Sequence, residues 1–337
     1  MNASVEGAPL VEGAPVAGAP APAVRPAARP LSWSRTVARE MVHRDSVAEV
    51  LLTEVRRAAG GGFEAAASWP RSHPTFPRGG TGLHSPLMIV ETLRQLGIYV
   101  PLRYFGVAPS ARLIITDLHF ETDPAAEPRA RSGASRVSCR VRVGGLRHGP
   151  DGEVTGLRLD VSYRADGLLF ARSGGGARFL TPEQYDAVRA DAVRAPSAAR
   201  TDTVLRADML RAPAAVPPDA AVRPDARLIG VAGPHDTMIA AVGTTLLVEP
   251  ADLSHPYFFD HPTDHLPGMI VLEAARQAAA VESGGRLLRP TAGRLKTARF
   301  IEYAPPARVL CVPHHATCVF RFLQGGEQKA FGVLRYQ

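Results

Sequence analysis

Residues 255–282 read HPYFFDHPTDHLPGMIVLEAARQAAAVE, and residues 73–100 read HPTFPRGGTGLHSPLMIVETLRQLGIYV. The two stretches align without a gap at an offset of 182 residues. The alignment repeats a Glu-x-x-Arg-Gln motif, which stands at Glu91, Arg94 and Gln95 and again at Glu273, Arg276 and Gln277. Two copies are too few for a solenoid, so the repeat indicates a duplicated domain.

Each copy of the motif lies on a segment that is apolar on most sides, PLMIVETLRQLGIYV and MIVLEAARQAAAVE. This composition predicts a buried helix, and Pro86 in the first copy and Pro267-Gly268 in the second suit a helix start. Flanking segments such as CRVRV (139–143) and LRLDVSY (157–163) alternate apolar and polar residues, which predicts strands. Strands wrapped around one buried helix make a hot-dog fold. The predicted class is therefore α+β, a tandem double hot-dog with an antiparallel sheet around each central helix.

Composition divides the chain further. Residues 1–32 are mostly Ala, Pro, Gly and Val, which predicts a disordered tail. Residues 191–226 are rich in Pro and Ala, which excludes a long helix and predicts a linker. The expected domains are thus an N-terminal hot-dog domain over 33–190 and a C-terminal one over 227–337.

The net charge is +7, and the chain has three cysteines, none in a Cys-x-x-Cys pair. Neither a disulfide framework nor a zinc site is indicated, and Cys139 is expected to be a core residue. The basic residues are scattered and aromatics are few, so nucleic-acid binding is not expected. No apolar run is long enough for a membrane span, and no secretory signal is visible, which predicts a cytoplasmic protein without a membrane partner.

The repeated motif places a carboxylate, a guanidinium and an amide on one face of a buried helix. One interpretation is an internal ion pair that only organises the core, since a buried charge needs a partner. The other is that these groups line a pocket between the domains. The second loop adds Asp260, His261, Asp264 and His265 ahead of Glu273, and a loop histidine can exchange a proton near neutral pH. The HxxxH spacing on a Pro-containing loop is weak evidence for a metal, and none is expected.

The stretch DHPTDHLPGMIVLEAARQA (260–278) resembles the A-factor biosynthesis family of hot-dog proteins. HRDSVAEVLLTEV (43–55), HSPLMIVETLRQ (84–95) and ARFLTPEQYDAVR (177–189) resemble the same family, so the resemblance covers both halves. A more distant resemblance links the chain to the hot-dog acyl carrier protein dehydratases and thioesterases. The dehydratase pattern is matched in order by His261, Pro267, Gly268, Glu273 and Gln277.

The closer resemblance implies an acyltransferase that moves a β-ketoacyl group from an acyl carrier protein to the hydroxyl of dihydroxyacetone phosphate, in the biosynthesis of a γ-butyrolactone-type or furan signalling molecule. The expected partners are that carrier protein and that phosphate, with no cofactor, and a homodimer is left open. The expected catalytic residues are Glu91, His261, Glu273 and Arg276. The expected substrate-binding residues are Arg94, Gln95, Asp260, Asp264, His265, Gly268 and Gln277.

Within that scheme Glu91, His261 and Glu273 are candidate bases or orienting groups, and Arg276, then Arg94, is the candidate phosphate ligand. Glu91 and Arg276 are expected to meet in one composite region between the halves, and alanine at either position is expected to abolish product without disturbing the fold. Two alternatives stay open. One is a thioesterase or dehydratase acting on carrier-bound acyl chains, and the other is a non-catalytic protein that binds an acyl chain or a lactone.

Overall fold

The computed structural model describes residues 29–76, 82–129, 133–194 and 221–337. Residues Leu31–Gln337 form one compact unit. Nearly all of the predicted tail over 1–32 and most of the predicted linker over 191–226 lie outside the described residues. Within the described ranges, none of the helices combines the length and the apolar character that a membrane span requires.

Two sets of elements follow one another along the chain, here called the first half (residues 31–194) and the second half (residues 221–337). The first half contains β1 (Leu52–Arg57), β2 (Phe63–Trp69), α1 (Leu87–Tyr104), β3 (Arg112–Thr122), β4 (Ser135–His148), β5 (Val154–Ala165), β6 (Leu168–Leu180) and α2 (Pro182–Arg194). The second half contains α3 (Ala226–Ile229), β7 (Ile239–Val242), β8 (Thr245–Val248), α4 (Gly268–Glu282), β9 (Ala292–Thr297), β10 (Arg308–His314), β11 (Thr317–Gln324) and β12 (Glu327–Arg335). Short 3-10 helices lie at Arg39–Val42, Val47–Glu49 and Pro234–Asp236.

The strands form one antiparallel sheet in the order β1-β2-β4-β5-β6-β3-β9-β12-β11-β10-β8-β7. Read outward from its centre, each half has the same order, and each half has one long helix after its second strand. The halves are joined where β3 pairs with β9, in a register that sets Leu118 opposite Leu295. The prediction of an α+β fold with antiparallel strands is confirmed, in the form of one large antiparallel sheet with few helices. The division into two domains stays a prediction, and the sheet is continuous across the two halves.

The two long helices are buried because their side chains are apolar on nearly every side. In α1 the buried set includes Met88, Ile89 and Leu96, and in α4 it includes Ile270 and a run of alanines. The inward positions of the strands, such as Val141 in β4, complete this core. Each polar side chain on these helices therefore lies in an apolar environment and needs a partner.

One expectation about the cysteines is corrected. Cys311 and Cys318 lie on the neighbouring strands β10 and β11 and form a disulfide, with their Cα atoms 6.5 Å apart. The sequence did not indicate this pair because the two cysteines are separated by seven positions and only the hairpin brings them together. Cys139 is buried in the core, as predicted.

Candidate active site

The first copy of the motif is a buried ion cluster. Glu91 is completely buried, and its carboxylate accepts hydrogen bonds from Arg94 Nε at 2.8 Å and from Gln95 Nε2 at 2.7 Å. Arg44, from the segment before β1, lies 2.9 Å from the same carboxylate. Burial alone would raise the pKa of Glu91, but Arg44 and Arg94 outweigh burial and lower it to about 2. The geometry thus favours an orienting role for Glu91 over the role of a proton acceptor.

The second copy of the motif is closed within its own half. Arg276 Nε donates to Glu273 at 2.8 Å, and Arg276 Nη1 donates to the carbonyl oxygens of Ile229 at 2.8 Å and Leu288 at 3.1 Å. Gln277 Nε2 donates to Glu273 at 2.8 Å. Burial would lower the pKa of Arg276, but the Glu273 carboxylate outweighs burial and raises it.

These contacts correct the expectation that Glu91 and Arg276 share one composite region. Among the described residues, every hydrogen bond of the Arg276 guanidinium goes to its own half, whereas the Tyr257 hydroxyl of the second half contacts Glu91 at 3.5 Å. The two motifs also differ in one donor. Arg276 Nη1 is bonded twice, whereas no hydrogen bond of Arg94 Nη1 occurs among the described residues.

The glutamines of the two motifs make equivalent hydrogen bonds. Gln95 accepts the backbone N–H of Leu51 at 2.9 Å, and its Nε2 donates to the carbonyl oxygen of Glu49 at 2.8 Å. Gln277 makes the matching bonds with the backbone of Met238 and Asp236, at 2.8 and 2.9 Å. Each glutamine therefore ties its helix to the segment that enters the first strand of its half, which favours a structural role.

Asp260 connects the two halves at the site. Its carboxylate oxygens accept the backbone N–H groups of Asp45 at 2.8 Å and Ser46 at 2.9 Å. It also lies 3.8 Å from Arg44 Nη1, which in turn donates to the carbonyl oxygen of Tyr257 at 2.7 Å. The loop before α4 therefore holds the segment that leads into β1, and it places His261 beside the first motif.

His261 and His43 lie in a cluster of cationic side chains. His261 is half-buried, and its Nδ1 has no hydrogen-bond partner within the described residues. Burial, Arg94 and Arg44 together lower the pKa of His261. Burial, Arg94, His261 and Arg112 lower the pKa of His43 to about 4. Both imidazoles are therefore neutral at neutral pH, and the arginines beside them favour an anionic ligand.

His43 occupies an unusual backbone position. Its φ of 49° and ψ of 61° are left-handed, a conformation that costs about 1–2 kcal/mol for a residue other than glycine. The matching position after α3 in the second half is Gly230, with φ of 63° and ψ of 42°. A histidine kept where glycine would be unstrained is a candidate functional residue.

An apolar pocket lies beside this cluster, between α1 and the strands β3, β5 and β6. Met269, in the first turn of α4, brings the second half to its wall. Gly268 begins α4, and a Cβ at that position would lie 3.8 Å from Ile115 of the pocket wall. The pocket is lined by Val90, Leu93, Arg94, Gly97, Leu113, Ile115, Asp117, Leu118, Leu157, Leu159, Gly175, Gly176, Ala177 and Met269.

Asp264 and His265 lie together in a separate cluster with α2. The Tyr185 hydroxyl donates to Asp264 at 2.7 Å, and His265 Nδ1 lies 2.7 Å from the same carboxylate. Arg189 Nε is 3.2 Å from Asp264. The Arg112 guanidinium lies 5.9 Å from the centre of the Tyr185 ring, and its charge also helps to lower the pKa of His43. The predicted loop residues therefore lie in two places: Asp260 and His261 beside the first motif, and Asp264 and His265 against α2.

One group of side chains has the composition of a metal site. The ligand atoms of His235, Asp236 and His255 all lie within 4.8 Å of one another. However, His255 Nδ1 accepts a backbone N–H, so its proton lies on Nε2 and points at Asp236, 3.0 Å away. His73 and Glu49 form the same pair in the first half, at 2.9 Å. The repeated pairing favours an ordering role for these residues.

The sequence did not single out His43, Arg44, Arg112 or Tyr185. The first two begin the stretch HRDSVAEVLLTEV (43–55), which was noted only for its family resemblance, and that was the available signal. Nothing in the sequence marked Arg112 and Tyr185 as functional, because a charged residue at the start of a strand and a tyrosine on an amphipathic helix are ordinary features.

Comparison with known proteins gives a family match. The family model of the A-factor biosynthesis hotdog domain matches residues 27–180 and 234–284. A 2-oxo-3-(phosphooxy)propyl 3-oxoalkanoate synthase of Streptomyces virginiae is 31% identical over 281 residues, covering 82% of this chain and 87% of that protein. A synthase of the same name from Streptomyces coelicolor is 28% identical over 266 residues, covering 79% of this chain and 78% of that protein.

Solved structures with a similar chain path include an acyl-ACP thioesterase from Bacteroides thetaiotaomicron. It is 10% identical, it covers 81% of this chain and 98% of that one, and the TM-score is 0.47.

Proposed function

Because the chain belongs to the A-factor biosynthesis hotdog domain family, we propose that it is a β-ketoacyltransferase with dihydroxyacetone phosphate as acceptor. The donor is an acyl carrier protein, and the product leads to a γ-butyrolactone-type signalling molecule. The observation that carries the proposal is the apolar pocket beside Arg94, His261 and His43. The name of the relatives, a 3-oxoalkanoate carrying a phosphooxypropyl group, supports the same acyl group and acceptor.

The family resemblance identified from the sequence is confirmed, and so is the expectation that the chain is an enzyme. For the fold we propose the tandem double hot-dog, with one unit in each half. The identical strand order around α1 and around α4 supports this assignment. The cytoplasmic location, the carrier protein and a homodimer stay predictions.

The proposed reaction needs an apolar site for the acyl chain and cations for the phosphate. The pocket along α1 takes the chain, and Arg94 with Arg112 takes the phosphate, since guanidinium groups bind phosphate oxygens well. Arg94 replaces Arg276 as first choice, because its Nη1 is free among the described residues whereas Arg276 Nη1 is bonded twice.

His261 is the proposed general base, because its Nδ1 has no partner among the described residues and its lowered pKa keeps it neutral. It takes the proton of the acceptor hydroxyl as the new C–O bond forms at the thioester carbonyl. The C–S bond then breaks, and the imidazolium returns the proton to the leaving thiolate. The backbone N–H groups of Gly268 and Met269, in the first turn of α4, are the proposed oxyanion donors, since such groups lack partners within a helix.

The test is mass spectrometry of the products from purified protein and a β-ketoacyl carrier protein, with and without dihydroxyacetone phosphate. The proposal expects a phosphorylated ester that forms only with the acceptor. His261→Ala should lower the rate of ester formation by about 10²–10⁴-fold. His265→Ala is the control, because His265 lies in the separate cluster with α2, and it should lower that rate far less. Acyl release that ignores the acceptor would favour the thioesterase alternative instead. Tight acyl binding without turnover would favour a non-catalytic binding protein.

A further inference from the structure

The apolar pocket follows one face of α1. Val90, Leu93, Arg94 and Gly97 are spaced by three and four residues, so they lie in a row along the helix. From Val90 to Gly97 the row spans about 10 Å at the rise of an α-helix. The pocket lining also contains the carboxylate of Asp117, which is bound by both terminal nitrogens of Arg158 at 2.7 Å. Apart from Arg94 and Asp117 the lining is apolar, so the pocket suits a narrow apolar chain that extends along α1 from Arg94 toward Gly97.

Gly97 stands at the far end of this row and leaves space in the pocket. A Cβ built at Gly97 would meet no heavy atom within 4 Å, and its backbone is helical. Glycine is unfavourable in a helix interior, and alanine would be preferred there if packing alone decided. The aligned residue of α4 is Ala279, which is completely buried. The second half thus fills the position that the first half leaves open.

Two other glycines of the pocket wall have a different cause. A Cβ at Gly175 would lie 2.6 Å from the carbonyl oxygen of Asp117, and one at Gly176 would lie 2.6 Å from Thr116 Oγ1. Gly175 is required by the close approach of the β3 backbone, and Gly176 lies against the side chains of Thr116 and Arg158. Packing explains them, but it does not explain Gly97.

We infer that Gly97 sets the length of the acyl chain that the pocket accepts, because the absent side chain extends the pocket by one helical turn beyond Arg94. The inference rests on the proposed function for the identity of the chain as an acyl group. A larger side chain at position 97 shortens the accepted chain and leaves shorter chains unaffected. Gly97 is thus a specificity-determining residue with no part in the chemical step.

The test measures binding of saturated fatty acids, from hexanoate to tetradecanoate, to wild type and to Gly97→Leu by calorimetry. Each methylene that is lost from an apolar site costs about fourfold in affinity, so a leucine that displaces three methylenes lowers affinity for the longest ligand on the order of 50-fold. Affinity for hexanoate stays unchanged. Gly97→Ala lowers affinity for the longest ligand about fourfold and raises Tm, because alanine is the better helix residue.

Gly144→Leu is the matched control. Gly144 is exposed in β4, and a Cβ there also meets no heavy atom within 4 Å, so the same side chain is added outside the pocket. An unchanged chain-length profile in folded Gly97→Leu overturns the inference, as does a wild-type protein that binds none of these acids. If Gly97→Leu does not fold, the profile of Gly97→Ala decides. Ester formation is measured separately, so a failed transfer reaction with a shifted binding profile refutes the proposed function alone.

Discussion

Glu91 and Glu273 occupy the same position in the repeated motif but balance different charges. Glu273 is paired with Arg276, whereas Glu91 lies between Arg94 of its own helix and Arg44 of another segment. Glu91, Glu273 and Arg44 are buried, and the side chains of Arg94 and Arg276 are largely shielded from water. A buried charge that loses its partner is costly, so the two carboxylates should not contribute equally to stability.

Glu91→Gln is predicted to lower the free energy of unfolding by about 3–5 kcal/mol, because it removes the carboxylate that pairs with both Arg44 and Arg94 and, among the described residues, leaves Arg44 only the more distant Asp260 carboxylate. Glu273→Gln is the matched control and should cost less, because it leaves only Arg276. Urea denaturation of both variants checks this. This prediction differs from the expectation from the sequence that Glu91→Ala leaves the fold intact, and the denaturation data decide between the two. Equal losses would show that Arg44 is not balanced by Glu91.

The same carboxylate gives the pH dependence. In the folded protein the pKa of Glu91 is lowered from 4.5 to about 2 by Arg44 and Arg94, against the effect of burial. A carboxylate whose pKa is lower in the folded state than in the unfolded state stabilises the folded protein. This stabilisation is complete above the unfolded-state pKa and is lost as the pH falls toward the folded-state pKa. The free energy of unfolding of the wild type should therefore fall between about pH 4.5 and 2 by more than that of Glu91→Gln.

At the residue scale the sequence identified the motif but not what its members do. The positions of Glu91, Arg94 and Gln95 follow from the repeat, and their burial follows from the apolar helix. Their roles depend on Arg44 and Tyr257, which are far away in the chain and are brought in by the fold. The same holds for Arg276, whose partners Ile229 and Leu288 are backbone carbonyls and leave no mark in the sequence.

At the scale of elements, alternating strands such as β4 and β5 could be predicted, and β6 could not. β6 contains Gly174, Gly175 and Gly176, and glycine is ordinarily poor in a strand. Here the neighbouring backbone is too close for a side chain at Gly175. The sequence also did not indicate that the segments before β1 and β7 are equivalent. Val42 and Ile229 accept matching bonds from Arg94 and Arg276 at an offset of 187 residues, not 182, and with little identity.

The connection between the loop before α4 and the segment before β1 depends on Asp260, and it can be tested directly. Asp260→Ala removes the acceptor of the Asp45 and Ser46 backbone N–H groups, each a bond to a charged group. Hydrogen exchange at these two amides is predicted to accelerate on the order of 10- to 100-fold. Asp252→Ala, which removes a cap on Ser254 within the same loop, is the control and should leave both amides protected. Unchanged exchange in Asp260→Ala would contradict the connection.

At the scale of the whole molecule, the two halves are in direct contact along one junction. The pairing of β3 with β9 makes the sheet continuous, and the ion pair of Arg289 with Glu127, 2.6 Å apart, crosses the same junction. Arg289 also donates to the carbonyl oxygen of His84 at 3.1 Å. Separating the halves would leave the buried Glu127 carboxylate without this partner and would uncover two sheet edges, and both changes are unfavourable.

The halves are therefore predicted to unfold in one transition. Both tryptophans, Trp33 and Trp69, lie in the first half, so their fluorescence follows that half in urea. Hydrogen exchange of peptides from α4 and β11 follows the second. The two midpoints should coincide, and Glu127→Ala should lower them together, because the loss of one junction contact destabilises a single cooperative unit. If the midpoints separate, or if Glu127→Ala moves only the first, the halves are independent domains and the pocket wall at Met269 is not held by the sheet.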